Sequence, residues 1–401
     1  MNTTTIAGGA AGPSENYRDK KRYFWLLSSL WVLFPALSVA VTYATGIEIF
    51  TWSTFALWYL AIPVLDMLLG QDTSNPPEAA IQRLESDNYY RYLAYATVPL
   101  HYVTLIAGAW AAATLSMSWV GYLGIALSVG LINGIAINTG HELGHKKSRV
   151  AKNLAKLSLA TTAYGHFMVE HNKGHHKDVA TPEDPASSRF GESIYRFAMR
   201  EIPGALKRSW QNEKERLGRQ GKSPWSVDNE MLQPMAVTVV LYGGLIAFFG
   251  PVVIPFLLIA MGYGYWFLTM ANYTEHYGLL RQKQEDGRYE RCRPEHSWNT
   301  NHTMSNLVLF HLQRHSDHHA YPTRSYQSLR HFEDLPTLPS GYPGMFTLAM
   351  VPPLWRKVMD PRVLALYDQD IHRANIDPKH REEILRRFAG AQQSTSTHTA
   401  A

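Results

Sequence analysis

Four stretches of this chain carry no Asp, Glu, Lys or Arg: Tyr23 to Ile47, Ile49 to Leu65, Tyr92 to Gly140 and Met231 to Thr274. Such runs leave few architectures open. A bilayer core needs about 20 apolar residues per helix, so each of the two shorter runs makes one span. The two long runs make two spans each. One breaks near Ser116-Met117-Ser118, the other at Gly250-Pro251, where proline disfavours helix continuation. The expected fold is therefore all-α integral membrane, with six transmembrane helices and a helical polar cap. In chain order this gives an N-terminal segment 1–22, spans within 23–140, a polar segment 141–230, spans within 231–274, a polar segment 275–389 and a tail 390–401. Residues 1–16 and 390–401 are small and polar and are expected to be disordered.

Charge placement orients these spans. Arg18, Lys20, Lys21 and Arg22 precede the first span, and Arg83 and Arg91 lie between the second and third. The segments after the fourth and sixth spans are also rich in Lys and Arg, whereas the other three connections have none. The positive-inside rule then puts both termini and the large polar segments in the cytoplasm. The first span is too long for a signal-peptide core and lacks a clear small-residue cleavage site, so it reads as a retained anchor. Cys292 is the only cysteine, which excludes an intrachain disulfide and a four-cysteine iron site. Electrons for any redox chemistry must come from elsewhere.

Eight of the eighteen histidines fall in three clusters. HELGH (His141 to His145) closes the fourth span, EHNKGHH covers Glu170 to His176, and QRHSDHH covers Gln313 to His319. His276, in NYTEHYGL, follows the sixth span. HELGH fits the zinc-protease pattern H-E-x-x-H, with glutamate as base. A lone i,i+4 pair is common in helices, but three clusters and a histidine at a helix end are not. The set His141, His145, His171, His175, His176, His276, His315, His318 and His319 exceeds what one zinc uses. On α-helical spacing His141/His145, His171/His175 and His315/His319 each share a face. His176 and His318 are rotated away by roughly 140° and 60°. Clusters looking in two directions suit two adjacent metals. Imidazole suits several metals, so ligand type does not choose among them. Gly144 and Gly174 relieve crowding where helices meet. His101 reads as bonding a nearby backbone carbonyl and His311 as supporting the third cluster. His166, His296, His302, His331, His372, His380 and His398 read as ordinary surface or core residues.

HELGHK, EHNKGHH and LQRHSDHHA resemble the eight-histidine signature of integral-membrane non-haem di-iron oxygenases and desaturases. NYTEHYGL, with the form of LQRHSDHHA, is similar to the alkane 1-monooxygenase branch, over roughly residues 20–370. The resemblance implies two iron ions, O2 as co-substrate and terminal hydroxylation of medium-chain n-alkanes to primary alcohols. It also implies electrons from rubredoxin and an NAD(P)H-dependent reductase, and a bacterial inner membrane. No nucleic-acid partner is expected. A terminal C–H bond has no acidic proton, so acid–base catalysis cannot activate it, and a redox-active metal must. Terminal selectivity demands a narrow apolar channel, with lateral access from lipid.

Glu142, Glu170, Glu275 and Asp317 adjoin these histidines and are expected to orient them. Trp58 is the candidate for setting channel depth, and its replacement by Ser should admit longer alkanes. Helix faces suggest His141, His145, His176 and His319 around one iron and His171, His175, His276, His315 and His318 around the other. Lys146, Lys147, Lys173 and Lys177 could attract an acidic rubredoxin, or serve only topology. Competing readings are a membrane desaturase, a hydroxylase of fatty acyl or xylene substrates, an intramembrane zinc protease and a metal transporter. The charge-free span interiors speak against the last.

Overall fold

The computed structural model describes residues 17–388. The disorder expected of 1–16 and 390–401 concerns residues outside them. Among the described residues there is no β-strand, only isolated bridges. Six helices are long and apolar enough to cross a membrane: α1 (Leu26–Thr45), α2 (Glu48–Leu69), α3 (Asn88–Thr114), α4 (Trp119–Gly144), α7 (Leu232–Phe249) and α8 (Val253–His276). Between α4 and α7 lie α5 (Arg149–Ala160) and α6 (Ile194–Gly218). After α8 come α9 (His315–Ala320), α10 (Tyr342–Ala349) and α11 (Pro352–Leu366).

The breaks in the long apolar runs have local causes. Ser118 caps α4, and the Glu48 carboxylate accepts from both its N–H at 2.7 Å and its hydroxyl at 2.6 Å. This ties the α1–α2 corner to the α3–α4 corner. At the other break, Gly250 ends α7 with φ +84°, a conformation costly for any residue with a Cβ. Outward faces of the spans stay apolar, as a lipid solvent permits: Met67 is 78% exposed, Val240 76% and Phe248 83%.

Helix α4 is the centre of the bundle and is buried along most of its length. Lipid tails are as apolar as leucine, so helices here associate by close packing rather than by expelling water. Gly130 and Gly134, spaced as small-xxx-small, supply that packing. A Cβ on Gly130 would lie 2.7 Å from Tyr263 Cβ and 2.9 Å from the Ala260 carbonyl oxygen. One on Gly134 would strike the ring of Phe267. The α8 face at four-residue intervals, Tyr263, Phe267, Ala271 and Glu275, therefore lies close against α4 and runs from mid-span to the histidine-bearing end. Gly130→Val is expected to cost about 1–3 kcal/mol by overpacking. It should lower the Tm of the solubilised protein, while Gly243→Val, with nothing within 4 Å, should leave it unchanged.

Candidate metal centre

All nine predicted histidines converge where α4 and α8 end. His141 lies in the last turn of α4 and His145 caps its C-terminus, and His276 is the last residue of α8. His315, His318 and His319 lie on α9. His171, His175 and His176 lie on a short helix, Phe167–Glu170 extended by a π turn, His171–His175. The imidazoles form two groups, within each of which the ligating nitrogens lie within 4.8 Å of one another. His141, His145, His171, His176 and His318 make one; His175, His276, His315 and His319 make the other.

This division corrects the one expected from helix faces, in which His171 and His318 stood with the second group and His319 with the first. The π turn is the main reason. The His176 N–H bonds to the His171 carbonyl, an i→i+5 closure, so these two residues rather than His171 and His175 share a face. Their Nε2 atoms are 3.0 Å apart. On α9 the ordinary α spacing holds: His315 and His319 meet at 2.9 Å, and His318 turns to the other group.

The donor set fits metal ions. Nε2 atoms face each other at 2.9 Å (His141–His318), 3.2 Å (His176–His318) and 3.3 Å (His276–His315). A metal–imidazole bond of about 2.1 Å places ligands at right angles about 3.0 Å apart. The buried Nε2 atoms of His145 and His175 have no protein partner. Burial, and then neighbouring imidazoles, push His171, His315, His318 and His319 well below the ordinary histidine range. They are therefore neutral at pH 7, as ligands must be.

Carboxylates fall differently from expectation. Glu142 is held by Lys146 at 2.8 Å, Glu170 by Arg208, and Asp317 by Arg324 at 2.7 Å and by Arg330. None of these three holds an imidazole. Glu275 does approach one, 3.4 Å from His315 Nε2, while accepting from the Tyr342 hydroxyl at 2.8 Å. The acid that orients a histidine through its outer nitrogen is Asp184, 2.9 Å from His175 Nδ1. Burial would raise this carboxyl, but His175 and Arg208, the latter at 2.7 Å, hold it below the usual range. Arg208 thus joins Glu170 to Asp184. It passes over Gly174, where a Cβ would meet its Nε at 2.6 Å, whereas one on Gly144 makes only ordinary contact. His276 Nδ1 is held by the His296 carbonyl oxygen at 3.1 Å. Asp184 and His296 lie apart from the histidine clusters in sequence, and nothing in the motifs signals them. His311 instead meets the Tyr326 carbonyl, and His101 the Thr139 hydroxyl.

An apolar cavity opens onto both groups, lined by His141 and His171 of one, His315 of the other, and Gly134, Asn138 and Phe267. Trp58 does not line it. Trp58 is fully buried behind Phe267, ring centroids 5.0 Å apart, and stacks on Trp31 at 5.6 Å.

Residues 117–349 match the family model of fatty acid desaturases. The alkane 1-monooxygenase of Ectopseudomonas oleovorans is 56% identical over 96% of this chain and 96% of its own. An alkane 1-monooxygenase of Alcanivorax borkumensis is also 56% identical, over 96% and 95%. The hydroxylase component of a xylene/toluene monooxygenase from Pseudomonas putida is 26% identical over 82% and 89%.

Asp184→Ala is expected to lower metal affinity of the four-histidine group by about 10–100-fold. Chelator competition should strip one metal well before the other; simultaneous loss would contradict it.

Proposed function

The chain belongs to the alkane 1-monooxygenases and, through residues 117–349, to the fatty acid desaturase family, and on that premise we propose O2-dependent hydroxylation of the terminal carbon of medium-chain n-alkanes. The observation that carries this reading is the pair of histidine groups set at the end of an apolar cavity. Two iron ions held by the five and four imidazoles would supply the redox chemistry that acts on a C–H bond without an acidic proton. The protein's own part is positioning. Asp184 and the His296 carbonyl turn His175 and His276 so that Nε2 faces inward. The α4–α8 seam keeps water out and leaves room for a single chain end. An alkane offers no polar group to grip, so shape must select the terminus. The Glu142–Lys146 ion pair and the three further imidazoles around His141 and His145 disfavour the zinc-protease reading.

Phe267, seated on Gly134, lines the cavity, and Trp58 packs behind it as a second layer. Phe267→Ala is expected to shift hydroxylation toward longer alkanes. Trp58→Ser should do so to a lesser degree, and the double variant most of all. Product analysis across an alkane series measures this; an unchanged profile in all three contradicts the assignment.

Electrons are proposed to come from rubredoxin on the cytoplasmic side, with both termini on that face of a bacterial inner membrane. Two of the four lysines suit docking better than the others. Lys146 is bound to Glu142, and Lys173 to Glu213 and Glu230, whereas Lys177 is 78% exposed and Lys147 is exposed as well. If these cations steer an acidic donor, turnover at limiting rubredoxin should fall as salt rises. Rates insensitive to ionic strength would remove steering. The function itself is tested by metal analysis joined to an octane assay with rubredoxin and its reductase. Two irons and 1-octanol are expected; one zinc and no alcohol would overturn it.

A further inference from the structure

The acids around the histidine groups differ in their counter-charge. Lys146 neutralises Glu142, Arg208 serves both Glu170 and Asp184, and Arg324 and Arg330 flank Asp317. Glu275 is taken up by Tyr342 and His315. Glu201, on α6, meets no cation. It is 1% exposed, and its partners are two neutral donors on α8, the Thr269 hydroxyl at 2.9 Å and the Asn272 amide at 3.2 Å.

Its position is as telling as its partners. Glu201 lines a cavity of about 10 Å3 with His171, His175 and Asn272, room for about one water. Asn272 is a shared wall, since it also lines the apolar cavity that reaches His141 and His315. Thus the carboxyl stands beside both histidine groups while bonding to neither.

Hydroxylation at such a centre has a proton requirement. One alkane, one O2, two electrons and two protons give one alcohol and one water. The electrons come from the redox partner, and the protons must reach a site where Glu201, His171 and His175 are buried. Burial without a cation favours the protonated form of a carboxyl. The charged and titratable groups facing Glu201 do not change this. Glu170 and Asp184 both disfavour a further negative charge, Arg208 is spent on those two, and Tyr164, itself raised by burial, stays a neutral phenol.

We propose that Glu201 is the proton store for oxygen reduction, a role that rests on the alkane-hydroxylase reading above. Its O–H bond breaks and the proton passes, by way of the small cavity, to the oxygen atom that leaves as water. The resulting carboxylate stays bonded to Thr269 and Asn272 until it is reprotonated from solvent, and a second release from the refilled carboxyl supplies the other proton of that water. Burial raises this carboxyl to about 7, against the opposing pull of Thr269 and Asn272. The store is therefore filled below that pH and drained above it.

Glu201→Gln tests this, because glutamine keeps the shape and an accepting oxygen but carries no acidic proton. Infrared difference spectra of the protein without octane should show carboxylic acid absorption below pH 7 that fades above it and is weaker by one carboxyl in Glu201→Gln. With octane, rubredoxin and reductase, the variant should keep its metal content and Tm but lose about 100-fold in 1-octanol per electron consumed, releasing peroxide instead. It should also lose the fall in rate that the unmodified protein shows above pH 7, and Glu201→Asp should restore both in part. If the unmodified protein makes 1-octanol and Glu201→Gln matches its rate and pH profile, the proposal fails. It fails too if both proteins give the same infrared band. An unmodified protein that makes no 1-octanol overturns the alkane reading and this proposal with it.

Discussion

Nine imidazoles are brought into mutual contact at the ends of two membrane helices, burial pushes His145, His171, His176, His315, His318 and His319 away from the cationic form, and most of the architecture follows from that constraint. Their Nε2 atoms turn inward to distances of about 3 Å, the spacing of neighbouring ligands on one metal ion. The chain meets the constraint from four separate segments, and each is held from behind. An ion-pair lattice of Asp184, Arg208 and Glu170 braces the short π-containing helix. Arg324 and Arg330 anchor Asp317 and so fix α9. These charges lie outside the histidine shell, where they set geometry without adding charge to it.

The bilayer supplies the second half of the design. Because hydrocarbon gives helices no hydrophobic reason to associate, α4 and α8 depend on fit, and glycine against aromatic ring is that fit. The same seam makes the cavity. An aromatic face on α8 and a glycine face on α4 leave a mostly apolar cavity whose lining includes His141, His171 and His315. Stability and substrate shape are therefore properties of one contact surface.

Much of this was legible in the residues. Charge-free runs announced six membrane helices, because few other structures can bury them. The nine histidines stood out by density, and all nine do converge. Other features followed sequence rules less well. Glu142, Glu170 and Asp317 neighbour histidines along the chain, yet adjacency in sequence points side chains in different directions, and each finds a Lys or Arg instead. Trp58 was singled out for its place in the second span, but a ring there reaches the cavity only through Phe267.

By itself the sequence determined the class of protein and the identity of the residues that gather at its centre, since apolar length and imidazole density are local properties. Only the tertiary structure decided how those residues divide. A single i→i+5 hydrogen bond shifts His176 onto the face of His171, and no residue pattern distinguishes that turn from an ordinary α turn. Asp184 as the brace of His175, Phe267 as a wall of the cavity and Glu201 as a buried acid without a cation belong to the same category. Each is defined by contacts between segments distant in the chain, where the partners are chosen by packing rather than by periodicity.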